Sequence, residues 1–197
     1  MALLEAVELK GGGWSGQATE FGEAALAKSP LCKAVGDFDR ALIDSAKGKA
    51  ARAFQRASSP VQVVQYVYVY ETEAQAREHV DRFRGLGDWS ECISFVLADG
   101  TPGQRYTSNP VTPSGTLPPN TATQAFESRR IDGQVIRSVF FTWHQGNAVG
   151  WISVVGPPAS LNDALLGPTL NSAVAALRET AAGTRTPPKA GATPAPA

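Results

Sequence analysis

Between Val61 and Tyr70 the chain reads VQVVQYVYVY, and apart from Gln62 and Gln65 every side chain in that run is β-branched or aromatic. Such residues suit a pleated ladder, where they pack against neighbours on the sheet surface, so the run reads as a central strand following Pro60. Alternation puts Val63, Val67 and Val69 on one side and Val64, Tyr66, Tyr68 and Tyr70 on the other. The next stretch, ETEAQAREHVDRFRGL, changes period. Thr72 stands as an N-cap with Gln75 three residues later, as in a capping box. Ala76, His79, Val80 and Phe83 then recur at helical spacing, and Gly85 and Gly87 mark the stop. A strand feeding directly into a helix is the fixed point of the fold.

The remaining elements fall around it. Helical patterns cover Glu20–Ala27 and Pro30–Ser45, and in the second Cys32, Val35, Phe38, Ala41, Leu42 and Ser45 share one side. CISFVLADG suggests a short strand, and another lies near QRYTS inside the Pro-, Gly-, Ser- and Thr-rich stretch 99–120. TATQAFESRRI and QVIRSVFFTWH are strands joined at DG, a favoured tight turn, and VGWISVVG returns from QGNAV. Pro157 and Pro158 break the sheet, and LNDALLGPTLNSAVAALRET closes the chain as a helix interrupted or begun at Pro168. Helix, strand, helix, antiparallel meander and helix give an α+β class: one antiparallel sheet with flanking helices, sandwich-like. Residues 1–181 form one globular domain, and 182–197, rich in Ala, Pro, Thr and Gly, form a disordered tail.

If Gly146 and Asn147 form the loop of the last hairpin, its register fixes the two faces of the sheet. Val135, Val139, Phe141 and Trp143 then share one face with Ile152 and Val154, a core surface. Ser138, Phe140, Thr142 and His144 share the other with Val149, Trp151 and Ser153. If the tyrosines of the Val61–Tyr70 strand join this mixed face, Tyr66, Tyr68, Thr142, His144 and Trp151 make a ring-lined ligand surface with polar tips. The other possibility is that a helix covers the face and the polar tips find local partners.

Chemistry is sparse. Basic and acidic residues balance at 18 each, so no net field draws nucleic acid or an anionic membrane. No apolar run approaches a membrane span. The opening ALLEAVELKGGGW lacks a signal peptide's basic start and apolar centre, which fits a cytosolic chain or one whose export signal has been removed. His79 and His144 are the only histidines, and no zinc-ligand spacing occurs, so neither metal nor cofactor is expected. His79 lies on the helix stripe and reads as a core histidine. GWSG at 13–16 is no nucleophile elbow, GGG at 11–13 no phosphate loop, and ESRR at 127–130 a solvated strand end. Asp88 and Glu91 disfavour a thiolate at Cys92, leaving a buried thiol or a disulfide.

Several of these pieces together resemble a family, the actinobacterial exported sensor-like domains typified by the extracellular domain of the mycobacterial Ser/Thr kinase PknH. The pieces are LLEAVELKGGGW, a helix holding Cys32, VVQYVYVYETEAQAREHVDRF, WSEC, a meander and a last helix. Family members open with an L-L-x-x-x-D-L-P-x-G-W-like stretch, end a strand in V-Y/F, follow it with an Ala-rich helix, and carry W-x-x-C close behind. Here ELK stands where DLP is usual, and two cysteines stand where the kinase domain has two disulfides. The resemblance spans most of residues 3–178 and implies an antiparallel sheet of PsbP/Mog1 outline with a groove for an unknown ligand. It carries over no catalytic residue. It also implies a bridge between Cys32 and Cys92, worth roughly 4 kcal/mol in the chain-entropy model for a loop of about 60 residues, with Trp89 as an apolar anchor beside it.

The expected function is accordingly a non-catalytic, extracytoplasmic ligand-binding or sensor domain, secreted or anchored by a lipid or membrane segment outside this chain. Its partner would be a small molecule or cell-envelope component, not nucleic acid. The alternatives are a protein-interaction module of Mog1-like type, which a flat apolar patch would favour, and a hydrolase, which a serine or carboxylate bonded to His144 would favour.

Overall fold

The computed structural model describes residues 3–9, 11–19, 37–38, 40–41, 43–85, 107–110, 120–129 and 133–186. Cys32, Trp89, Cys92, the expected helix over 20–27 and the expected strand CISFVLADG lie outside the described residues.

The described strands form one antiparallel sheet. They are β1 (Trp14–Ala18), β2 (Gly48–Arg56), β3 (Ser59–Val69), β4 (Thr107–Pro110), β5 (Ala122–Arg129), β6 (Val135–Gln145) and β7 (Ala148–Gly156), in the order β1-β2-β3-β7-β6-β5-β4. The described residues between 37 and 45 are helical (α1). Helix α2 is Glu73–Gly85 and α3 is Asp163–Ala181. The fold is therefore the expected α+β, a single sheet flanked by helices.

The expected local signals operate where they were located. Thr72 Oγ1 accepts from Gln75 N at 3.3 Å while Gln75 Oε1 accepts from Thr72 N at 3.1 Å, the two halves of the capping box that starts α2. Gln145 pairs with Ala148 and Thr142 with Trp151, the register expected for a Gly146-Asn147 loop. Gly146 has φ +55, a left-handed conformation at the first loop position that glycine adopts without steric cost. The DG connection is wider than a two-residue turn: Arg129 pairs with Val135, so residues 130–134 intervene, with Gly133 at φ +82.

Two strands were not expected. Residues 48–56, GKAARAFQR, favour helix on composition, yet they pair along their length with β3, and Trp14–Ala18 pairs with them in turn. Tertiary pairing with the strongly patterned β3 overrides that local preference. Of the two forms expected for the last helix, the structure shows the one with Pro168 inside it: Asn162 Oδ1 caps Leu165 N at 3.2 Å, ahead of the proline. The hydrogen bond that Pro168 cannot donate would have gone to Ala164, an exposed residue whose carbonyl water can serve.

One face of the sheet holds the main core. Val61, Val63, Val67, Val139, Phe141, Trp143, Ile152 and Val154 meet Leu166, Leu170, Ala173, Ala176 and Leu177 of α3, together with Leu3, Leu4, Leu9 and Trp14 from the N-terminal segment. Each large aliphatic side chain so enclosed contributes about 1.5–3 kcal/mol by leaving water. Trp143 lies over its cross-strand partner Gly150, where a Cβ would stand 2.6 Å from ring atom Cε2.

The N-terminal segment crosses this face as a strap, and polar side chains hold it. Gln65, wholly buried among the valines of β3, accepts from Leu4 N at 2.7 Å, and Arg52 Nη1 donates to Leu4 O at 2.8 Å while pairing with Glu5 at 2.6 Å. Arg185 Nη2 donates to Leu3 O at 3.1 Å and pairs with Glu8 at 2.7 Å. Arg185 falls in the stretch expected to be a disordered tail, yet its side chain is only 5% exposed. Residues 187–197 lie outside the described residues.

Candidate functional site

The opposite face carries the residues expected to bind. Cross-strand register sorts them into rows: Tyr68–Val149–His144, then Tyr66–Trp151–Thr142–Ala122, then Val64–Ser153–Phe140–Gln124. Helix α2 lies over the first two rows. Its Ala76, Val80 and Phe83 join Tyr68, Tyr70, Ala122, Val149 and Trp151 in a second buried cluster, with Phe83 and Trp151 ring to ring at 5.4 Å. The amphipathic stripe of α2 is thus what covers the mixed face.

Covering decides what each expected residue can do. Tyr68 and Thr142 are buried, and Thr142 Oγ1 donates to Gly150 O at 3.2 Å, so both are enclosed in packing and hold little surface for a ligand. Trp151 is 9% exposed and ringed by Tyr66 at 6.1 Å and Phe140 at 6.4 Å, both half-buried. His144 stands apart at the end of β6, in a cleft beside α2.

His79 behaves as the expected core histidine, 1% exposed within Phe38, Tyr68, Tyr70 and Trp151. Its Nδ1 shares a 2.7 Å hydrogen bond with the Tyr70 hydroxyl. Burial lowers the His79 pKa to about 4, because a charged imidazole would lose its hydration there. Burial likewise pushes the Tyr70 hydroxyl upward, so the pair stays neutral at pH 7.

The third row is half-buried: Val64, Ser153 and Phe140 lie beside Tyr66 and Trp151 as one apolar strip. Two polar atoms of the strip lack partners: Trp151 Nε1, a donor, and Gln124 Oε1, an acceptor whose own Nε2 is spent on Phe83 O at 3.0 Å. Both atoms are closed off from solvent, where buried polar atoms are almost always paired. Gln124 was not legible as a site residue, because its register opposite Phe140 depends on the width of the DG connection.

His144 Nδ1 is shut off from solvent and has no hydrogen-bond partner among the described residues, so no serine or carboxylate there is bonded to it. Among the described residues no group of three or more His, Cys, Asp or Glu side chains converges. No helix among them is long and apolar enough to cross a membrane.

No protein-family model matches the sequence, and no curated protein matches it. Among solved structures the chain is similar to the extracellular domain of PknH from Mycobacterium tuberculosis, with a TM-score of 0.58 over 86% of each chain and 12% sequence identity. At that identity the likeness is one of fold, and it covers nearly the whole of both chains.

Proposed function

We propose that this is a non-catalytic, extracytoplasmic ligand-binding or sensor domain that takes a small molecule or cell-envelope component on the strip Tyr66–Trp151–Phe140. The observation that carries the reading is the strip itself: three rings beside Val64 and Ser153, of which Trp151 is buried and the other four residues half-buried. Its mechanism is recognition alone. Ring stacking supplies affinity, at about 0.5–1.5 kcal/mol per aromatic pair beyond area burial. Likeness of fold to an extracellular kinase domain supports the placing outside the cytoplasm. A Cys32–Cys92 bridge belongs to the same proposal, since such bridges persist in oxidising compartments.

The alternative is a protein-interaction module; among the described residues Val69 is the exposed large hydrophobic side chain. The test is a thermal-shift screen of planar small molecules against the wild type and Ser153→Phe, which fills the strip. The reading expects compounds that raise the wild-type Tm and leave the variant's unchanged. Compounds that stabilise both equally would remove the strip from the account.

A further inference from the structure

One side of the sheet ends at β1, a strand without the usual protection of an edge. It reads WSGQA, with no charged residue and no proline, and Ser15, Gly16, Gln17 and Ala18 are all exposed. One step past the Ala18–Arg52 pair, Thr19 N donates to Ala51 O at 3.4 Å, which makes Thr19 and Ala51 a hydrogen-bonded pair. Antiparallel ladders alternate, so Gln17 and Ser15 also turn their backbone groups toward β2, while Gly16 and Ala18 turn theirs outward. Among the described residues neither Gly16 nor Ala18 has a hydrogen-bond partner on that outer side. Gly16 lies against Phe54, where a Cβ would stand 2.9 Å from ring atom Cε1, so its exposed surface runs along the edge.

We propose that this edge pairs with the same edge of a second copy, β1 antiparallel to β1 about a twofold axis at Gly16, joining two sheets into one.

The occupant follows from the strand's self-complementarity. With Gly16 on the axis, its N–H and C=O exchange hydrogen bonds with those of the partner's Gly16, and Ala18 N–H donates to the C=O of the partner's Trp14. Ser15 stands beside the partner's Gln17, two polar side chains on the face that carries Val64. No like charges meet. The cations nearest the edge are Arg52 and Arg56 of β2, in the rows of Ala18 and Trp14. Arg52 of one copy and Arg56 of the other would lie three strand spacings apart, about 14 Å, beyond a screening length of about 8 Å. Arg52 is in any case paired with Glu5 at 2.6 Å. A twofold pairing uses up both β1 edges, so growth stops at two chains. At the opposite edge of the sheet β4 ends on Pro110, which has no N–H to offer.

The test is analytical ultracentrifugation of the full chain from about 10 μM to about 1 mM, a range suited to a short interface. Backbone hydrogen exchange is followed by NMR at both ends of that range. We expect the average mass to climb from one chain toward two, and the Gly16 and Ala18 amides to exchange more slowly at the high end. Ala18→Pro removes an outward donor and leaves the β2 ladder whole, and should weaken the dimer about tenfold. Ser15→Lys with Gln17→Lys sets like charges opposite one another across the axis and should weaken it too, whereas Ser15→Lys with Gln17→Glu sets opposite charges there and should restore it. These positions are exposed, so the monomer keeps its fold. A dimer whose Gly16 and Ala18 amides exchange freely, or charge variants that associate alike, would overturn the proposal. A chain that stays monomeric throughout would overturn it as well, and amides already protected in that monomer would assign the edge to another segment of the same chain.

Discussion

Replacing His79 isolates the cost of keeping a neutral imidazole inside the second core. The ring is 1% exposed, is bonded to Tyr70, and has its pKa lowered from 6.5 to about 4 by burial. In the unfolded chain the histidine takes its proton near 6.5, so between pH 6.5 and 4 the unfolded state binds more protons than the folded one. Stability is therefore fully present above pH 6.5 and is lost as pH falls toward 4. The loss amounts to about 3 kcal/mol over the whole window and about 1.4 kcal/mol by pH 5.5, from the linkage of proton binding to folding. His79→Gln removes the titration while keeping a hydrogen-bonding group near Tyr70. Urea unfolding of both proteins at pH 7.5, 6.5, 5.5 and 4.5 separates this histidine from the carboxylates, which titrate equally in the two. The wild type should be the more stable at pH 7.5, and the gap should shrink steadily as pH falls. A gap that stays constant from pH 7.5 to 4.5 would show that His79 does not titrate in folding, and the reasoning from burial would fail.

Other positions give sharper structural readings. Gln65→Leu fits the core by size but leaves Leu4 N–H unpaired; a loss of about 1–3 kcal/mol is expected, and protease should cut the N-terminal strap sooner. An unchanged urea midpoint would mean that water serves Leu4 N. Gly150→Ala drives a methyl into the Trp143 ring and should cost about 1–3 kcal/mol, with a change in near-ultraviolet circular dichroism from the displaced indole. Truncation after Thr184 removes Arg185 from Leu3 O and Glu8, and should lower Tm by several degrees, as about 1–2 kcal/mol does in a domain of this size; an unaltered Tm would assign the tail no part in the fold.

Much of this architecture was legible because strong local signals agreed with one another. The run around Val61–Val69, the Thr72–Gln75 box and the Gly146 loop each act within a few residues, and together they fix β3, α2 and the β6–β7 register. β2 was not legible, because Ala and Arg in GKAARAFQR favour a helix and only pairing with β3 makes them a strand. The buried Gln65 broke the apolar alternation without announcing its partner, since Leu4 is 61 positions away. At the site, the alternating tyrosines showed the face correctly but not how far α2 would reach over it. Tyr68 and Thr142 went under the helix, while Phe140 and Gln124 stayed at its end.

The most direct measurement is an NMR fragment screen of the uniformly ¹⁵N-labelled chain, following the Trp151 indole N–H together with the backbone of Val64, Tyr66, Phe140 and Ser153. The account predicts that planar hydrogen-bonding fragments shift those signals as one group, and that Ser153→Phe abolishes the response. Fragments that bind while leaving the Trp151 indole and its neighbours unmoved would contradict it.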